Sequence, residues 1–270
     1  MNLGYACINM TLSGQKPKVT TNRSMIKKTF KEKGLSYAGE LGMLNAADLG
    51  RILKWNVQNN IKCFRLSSEF FPWASEYKFE DLPQYLRIKT LLAGAGHYAK
   101  SNGLRLTSHP GPFNVLVSPH KHVVDNTITD LRIHGEIFDM LGLERSPYNK
   151  INIHCNGVYG DKQSAMDRFC KNFELLPESV RTRLTIENDD KASMYSVKDL
   201  MYIHERIGIP IVFDYHHHLF NTGGLSEEQA LELAVSTWPD DIKPIVHYSE
   251  SKMLHEGNET IKPQAHSDYI

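Results

Sequence analysis

Residues 183–187 read RLTIE, residues 210–214 read PIVFD and residues 244–247 read PIVH. Each is a short apolar run rich in β-favouring residues. Each ends on a residue that can bind a metal: Glu187, Asp214 and His247. Working back along the chain, the same form recurs. KINIHC occupies 150–155, LRLTS occupies 104–108 with His109 just after it, and KCFRLS occupies 62–67. A first run covers 2–8. Between these runs, 48–60, 85–102, 122–141, 164–176, 196–207 and 226–235 read as helices. In 48–60, Leu49, Ile52, Leu53 and Val57 fall near helical spacing. Gly103, Gly142 and Gly208 stand where a glycine closes a helix, and Pro177 stops another. Ser196 is a candidate N-cap, and Ser226 with Gln229 forms a capping-box pattern.

Strands alternating with helices predict a parallel sheet with crossover helices. Seven such units in 270 residues fit an α/β TIM (β/α)₈ barrel better than a doubly wound open sheet. Seven units also leave the barrel without its last strand. No linker, repeat or low-complexity stretch divides the chain, which predicts one domain over 1–270. The lysine-rich stretch 15–34 reads as a long loop or a short helix.

Acidic and basic residues balance at 31 each, which argues against a binder that works by bulk positive charge. The balance is local, however. Lys16, Lys18, Arg23, Lys27, Lys28, Lys31 and Lys33 face only Glu32 within the first 35 residues. Such a segment suits contact with phosphates, with salt-dependent affinity. No run of about 18 apolar residues is present, and residues 1–5 carry no signal-peptide pattern. The expectation is a cytoplasmic protein with no membrane partner. Cys7, Cys63, Cys155 and Cys170 form no CxxC pair and read as reduced, buried small groups.

The strand ends carry the chemistry. His109 follows the third strand, His154 lies near the end of the fourth, and Glu187 ends the fifth. Asp214 ends the sixth with His217 three residues on, and His247 ends the seventh. In a barrel these ends converge on one face, where active sites are built. One histidine near a strand end is ordinarily structural, but five strands in succession favour a metal site. Imidazoles mixed with carboxylates suit Mn, Zn or Fe, and more than four ligands implies more than one ion. Such a cluster can activate water and neutralise charge on a phosphodiester. His216 and His218, flanking His217, read as packing residues, and Asp189 and Asp190 as loop or supporting residues. In the turn SHPGPF at 108–113, two prolines and a glycine fix the backbone. Phe113 is either held out to wedge between bases or is a core residue. Motifs for a P-loop, a dinucleotide fold and a serine nucleophile elbow are absent. Cys155 and His154 are adjacent on a strand, so they point to opposite faces and make no catalytic pair.

These blocks together resemble the UV damage endonucleases, relatives of the endonuclease IV branch of metal-dependent (β/α)₈ enzymes. The resemblance runs through Leu3-Gly4-Tyr5 with Cys7 and Asn9, residues 20–23 (TTNR) and residues 64–68 (FRLSS). It continues through His109-Pro110-Gly111, His154 with Gly157, Tyr159 and Gly160, and residues 184–189 (LTIEND). The last blocks are 214–218 (DYHHH), 247–251 (HYSES) and 265–268 (AHSD).

The resemblance implies a monomeric repair enzyme acting on UV-damaged double-stranded DNA. It would nick immediately 5′ of pyrimidine dimers and 6-4 photoproducts, leaving a 3′-hydroxyl. It implies two or three divalent ions, manganese first, with Zn or Mg as the other ions to consider. Implied ligands are His109, His154, Glu187, Asp214, His217, His247 and His266, with Glu76 in place of a family histidine. Among them Glu187, His109 and His247 form the catalytic set. Tyr5, Asn9 and Tyr248 are implied near the DNA, and Pro112-Phe113 stand where the family's lesion-probing Gln-Tyr pair stands. Ile245 replaces a family lysine. Family members continue into an eighth strand carrying one more glutamate, beyond the end of this sequence. Two other readings share the same strand-end chemistry: a metal-dependent sugar isomerase or epimerase, and a damage-binding protein that does not cut. The basic 16–33 segment and an exposed Phe113 would favour DNA over a small sugar.

Overall fold

The computed structural model describes residues 2–267 and 269; Asp268 of the last resemblance block lies outside them. The strands are β1 (Gly4–Ala6), β2 (Cys63–Leu66), β3 (Arg105–Ser108), β4 (Ile151–His154), β5 (Leu184–Glu187) and β6 (Ile211–Val212). They are parallel and follow one another in the order β1-β2-β3-β4-β5-β6. The helices are α1 (Met10–Ser13), α2 (Lys27–Gln58), α3 (Tyr85–Ser101), α4 (Lys121–Met140) and α5 (Lys162–Phe173). They continue with α6 (Glu178–Arg181), α7 (Val197–Ile207), α8 (Tyr215–Phe220), α9 (Glu227–Ser236) and α10 (Lys252–Glu256). This is the α/β, chain-ordered parallel architecture expected of a (β/α)₈ barrel. Among the described residues, no helix is long and apolar enough to cross a membrane.

The chain packs as two compact units. The first comprises Met1–Pro110, Thr129–Ile151 and Glu178–Arg183. Its strands β1 to β3 pair in register, Tyr5 opposite Phe64 and Phe64 opposite Leu106. Helix α2 packs on α3, burying Leu49, Ile52 and Leu53 of one and Ile88, Leu92 and Ala99 of the other. At Gly96, α3 backs onto a carbonyl, and a Cβ there would lie 1.7 Å from the Leu141 oxygen. A side chain at that position would push the helix off.

Helix α2 begins far earlier than the 48–60 segment read from spacing, and the lysine-rich stretch supplies its first turns. The helix breaks at Gly34, where φ is 61° and ψ is −156°. Two buried polar residues interrupt its apolar stripe. Asn45 donates to the Phe70 and Arg23 carbonyls at 2.9 and 3.1 Å. Asp48 accepts from Arg23 Nη2 at 2.6 Å and from Thr20 N at 3.1 Å. Those partners are far away in sequence, so the helix could not be recognised from its own pattern.

The second unit comprises Gly111–Ile128, Asn152–Pro177 and Leu184–Ile270. Here α5 packs on α7 and α7 on α9. Phe169, Ile186, Leu200, Ile203, Ile211, Phe213 and Ala230 are buried within it. Helix α7 starts on the Ser196–Asp199 capping box and ends at Gly208, with φ 66°. Helix α9 starts on the Ser226–Gln229 box.

Two strand expectations are corrected. The seventh run, 244–247, is no strand; only an isolated parallel bridge joins Asp214 to His247. Pro244 has no N–H to offer a ladder. His247 alone bonds both ways, its N–H to the Phe213 carbonyl at 2.8 Å and its carbonyl to Tyr215 N at 3.1 Å. The sixth strand stops at Val212, because Asp214 N donates to the Asn188 side chain at 2.8 Å instead of to a backbone carbonyl.

Candidate metal centre

In the second unit the strand rule of alternate faces sets the polar lining. Asn152 and His154 are two apart on β4, and Thr185 and Glu187 are two apart on β5, so each pair shares a face. Thr185 Oγ1 donates to Asn152 Oδ1 at 2.7 Å. Asn152 Nδ2 in turn donates to Glu187 Oε2. One carboxylate oxygen of the buried Glu187 is thereby fixed. The other, Oε1, lies 3.0 Å from His247 Nδ1 and 3.6 Å from His217 Nδ1.

Asp214 caps α8. Its side chain accepts from His217 N at 2.9 Å, so one turn carries both donors. Burial raises the Asp214 carboxyl to about 6, and the negative Glu187 beside it adds to the rise against the pull of His217. Asn188 makes two bonds to the Asp214 backbone, donating to its carbonyl at 3.0 Å and accepting from its N–H at 2.8 Å. The Asn188 carbonyl also lies 2.8 Å from His217 Nδ1. A carbonyl only accepts, so Nδ1 carries the proton and Nε2 keeps its lone pair.

That Nε2 lies 3.0 Å from Nε2 of His266. The other His266 nitrogen, Nδ1, lies 2.6 Å from Ser249 Oγ. The His266 ring packs against His216 and His217. Lost hydration, then the charge of those neighbours, hold it down to about 4. His154 shows the opposite balance. Burial pulls its pKa down, but Glu187, Asp189 and Asp214 outweigh that and hold it at about 9. Asp189 Oδ1 sits 3.0 Å from His154 Nδ1 and orients the ring.

These residues form two donor groups in the second unit: Asp214, His217 and His266, and Glu187, Asp214 and His247. Within each group the ligating atoms lie within 4.8 Å of one another. Asp214 belongs to both. The donors fit a divalent metal on two further grounds. Facing imidazole nitrogens 3.0 Å apart share at most one proton, whereas a cation accepts both lone pairs. The donor mix is also the one that suits Mn, Zn or Fe. Four of these five ligands have a supporting contact: Asn152 for Glu187, Asn188 for Asp214 and His217, Ser249 for His266. A cavity lined by His154, Asn156, Asp189, Lys191, Met194 and His217 opens beside them.

The remaining residues singled out in the sequence fall as follows. His109 directly follows β3 in the first unit, its Nδ1 3.1 Å from the Pro110 carbonyl. Also in that unit, Tyr5 donates to Asn56 Oδ1 at 2.7 Å and accepts from Asn9 Nδ2 at 2.7 Å. Glu76 is exposed at the end of a 3₁₀ turn, Ala74–Glu76, and is in none of the donor groups found among the described residues. Pro112 is exposed and Phe113 is 88% exposed, which rules out the core reading of that phenylalanine. Tyr248 is 60% exposed, with its ring edge-on to Tyr215. His216 and His218 are buried against Phe220 and Phe213 respectively. Sequence reasoning passed over Asn152, Asn188 and Ser249. Strand alternation from His154 would have found Asn152; the other two act through contacts that local pattern does not show.

The chain belongs to the UV-endonuclease UvdE family, which it matches over residues 1–270. It is 36% identical over 278 residues to the UV-damage endonuclease of Schizosaccharomyces pombe (strain 972), covering 99% of this chain and 45% of that relative. The chain thus spans about half the length of that relative. The solved structure of SacUVDE superposes with a TM-score of 0.87 at 33% identity, covering 100% of this chain and 86% of that one. A D-psicose 3-epimerase from Clostridium cellulolyticum H10 aligns at 13% identity and TM-score 0.53, covering 76% of this chain and 68% of its own. That is a likeness of fold alone.

Proposed function

We propose that this chain nicks double-stranded DNA immediately 5′ of UV photoproducts by metal-dependent hydrolysis of a phosphodiester. The observation that carries this reading is the pair of donor groups sharing Asp214. Membership of a family whose relatives are UV-damage endonucleases gives that centre its substrate class. The proposed ligands are His154, Glu187, Asp214, His217, His247 and His266, with His109 as the third strand's contribution. Manganese is the proposed ion. The chemistry supplied by such ions, when bound, is polarisation of the phosphodiester and a lowered pKa for water.

The chain's own residues do the rest. Glu187 and Asp214 supply the negative charge that holds cations. The Asn188 carbonyl fixes the tautomer of His217, Ser249 holds the ring of His266, and Asp189 holds the ring of His154. Phe113, displayed on a turn stiffened by prolines and glycine, is the proposed wedge at the lesion. The basic segment 16–33 is proposed to hold backbone phosphates. An exposed wedge and a basic arm have no use in a sugar isomerase, so DNA is the substrate read here.

The test is a nicking assay on supercoiled plasmid, irradiated or not, with manganese or with chelator. The expected result is nicking of irradiated plasmid alone, and only with the metal. Equal nicking of both plasmids would refute the lesion reading, and nicking undiminished by chelator would refute the metal reading.

A further inference from the structure

The loop after β4 turns through four left-handed backbone positions: Asn156 (φ 53°), Gly157 (72°), Tyr159 (49°) and Gly160 (81°). Glycine takes such angles freely, but for a bulky tyrosine they are an outlier. Strain of this kind persists only where the surroundings impose it. Here they do. The Gly157 carbonyl accepts from Tyr195 OH at 2.8 Å. The Tyr159 ring lies so close over Gly157 that a Cβ there would come within 3.0 Å of it. The Arg168 guanidinium stands 5.8 Å from the ring centre, and the His120 ring meets it edge-on at 6.1 Å.

After all this the tyrosine is still 45% exposed. Its hydroxyl makes no hydrogen bond among the described residues. The strain is therefore spent neither on burying the ring nor on satisfying its polar group. What it achieves is a fixed aromatic surface in solvent, with the cation Arg168 beside it and the exposed imidazoles of His120 and His122 adjoining.

Its place along the chain ties it to the site. Asn156, three residues earlier, lines the same cavity as His154, Asp189 and His217. Asn156 Nδ2 also reaches the carbonyl of Asn114, the residue after Phe113, at 3.4 Å. Helix α5 grips that same segment through Arg168 Nε to the Val117 carbonyl at 2.7 Å and Asn172 Nδ2 to the Leu116 carbonyl at 2.8 Å. Phe113 and Tyr159, both exposed, thus stand on loops that are bolted together.

We infer that Tyr159 is a nucleotide-stacking, positioning residue of the DNA site, taking a base that flanks the lesion while Phe113 takes the lesion itself. The inference rests on the nuclease reading above. A fixed ring suits this task, because every base has a face to stack on and no freedom is lost on binding. The exposed imidazoles of His120 and His122 are placed to meet the phosphate of the same nucleotide.

The test uses a duplex with one thymine dimer and 2-aminopurine at successive flanking positions, in chelator so that nothing is cut. Wild type, Tyr159→Phe and Tyr159→Asn are compared; asparagine tolerates the left-handed backbone, so this change removes the ring without straining the loop. The expected loss of affinity in Tyr159→Asn is about tenfold, from base–aromatic stacking. Tyr159→Phe should stay close to wild type. At one 2-aminopurine position, wild type and Tyr159→Phe should quench fluorescence and Tyr159→Asn should not. In nicking, the loss should fall on KM more than on kcat. Wild-type affinity and quenching in Tyr159→Asn would overturn the inference alone. Failure of wild type to prefer the dimer duplex over the undamaged one would remove the nuclease reading and this inference with it. A loss in Tyr159→Asn that tracks a fall in Tm would assign the residue to structure instead.

Discussion

Buried polar side chains gather in two regions, and they are finished to different degrees. In the first unit, cations stand at the starts of strands. Arg105 opens β3, Lys150 precedes β4, Arg183 precedes β5, and all three are buried. Arg183 donates to the carbonyls of Glu144, Leu143 and Ser179 at 2.7 to 2.9 Å and to Asp139 at 2.8 Å. Arg105 donates to the carbonyls of Tyr148 and Pro147. Burial lowers its pKa to about 10, which leaves it charged at neutral pH. Each acceptor of these two arginines is a fixed carbonyl or a paired carboxylate, so the arginines leave nothing for a ligand to supply. In the second unit, the strand ends present carboxylates pressed against one another and imidazole nitrogens face to face. Such a set could hold divalent cations. The difference teaches where to look for function. A buried charge satisfied by backbone is architecture, whereas a buried cluster of acceptors is a binding site.

Four changes would break or sharpen this contrast. The largest effect is expected from Glu187→Gln, which takes one charge from the donor group it forms with Asp214 and His247. Nicking should be abolished while the Tm stays near wild type; a fully active variant would take Glu187 out of the centre. Arg183→Met should act the other way. It strands three carbonyls and leaves Asp139 with Arg145 alone, costing about 3 kcal/mol in urea denaturation. The activity of the molecules that remain folded should be retained, and an unchanged denaturation midpoint would deny the architectural role. Asp189→Asn weakens the support of His154, while the amide oxygen can still accept from Tyr195 N. Metal affinity, read by titration, should fall about 10- to 100-fold with little change in Tm.

The smallest effect concerns His134, buried in α4. Burial holds its pKa below the ordinary value, against the opposing pull of Asp130. A lowered folded-state pKa gives stability that is full above about pH 6.5 and is lost as pH falls from there. His134→Gln should therefore reduce the drop in Tm between pH 7 and pH 5, by less than about 3 °C. An unchanged drop would clear His134 of any part in it.

What the sequence revealed follows the range of the forces involved. Helix ends were legible at Ser196, Ser226 and Gly208 because caps are satisfied within a few residues. The start of α2 was not, since Asn45 and Asp48 look like breaks until Arg23 and Phe70 are placed beside them. The strand-end donors were legible because an apolar run closing on a carboxylate or histidine is unusual at each of several strands in turn. His266 came only from the family resemblance, as no strand leads to it. Asn188 and Ser249 were hidden because their hydrogen bonds run to residues far along the chain. Phe113 stood undecided between core and surface, as a turn sequence fixes backbone shape and not what packs on it.

The strand ends of the second unit are proposed to hold divalent cations. The most direct test is manganese binding by wild type and Glu187→Gln, followed by electron paramagnetic resonance of the free ion with no DNA present. Wild type should take up more than one manganese per chain, and Glu187→Gln should take up fewer. Uptake of no manganese by wild type, or equal uptake by both proteins, would contradict that proposal.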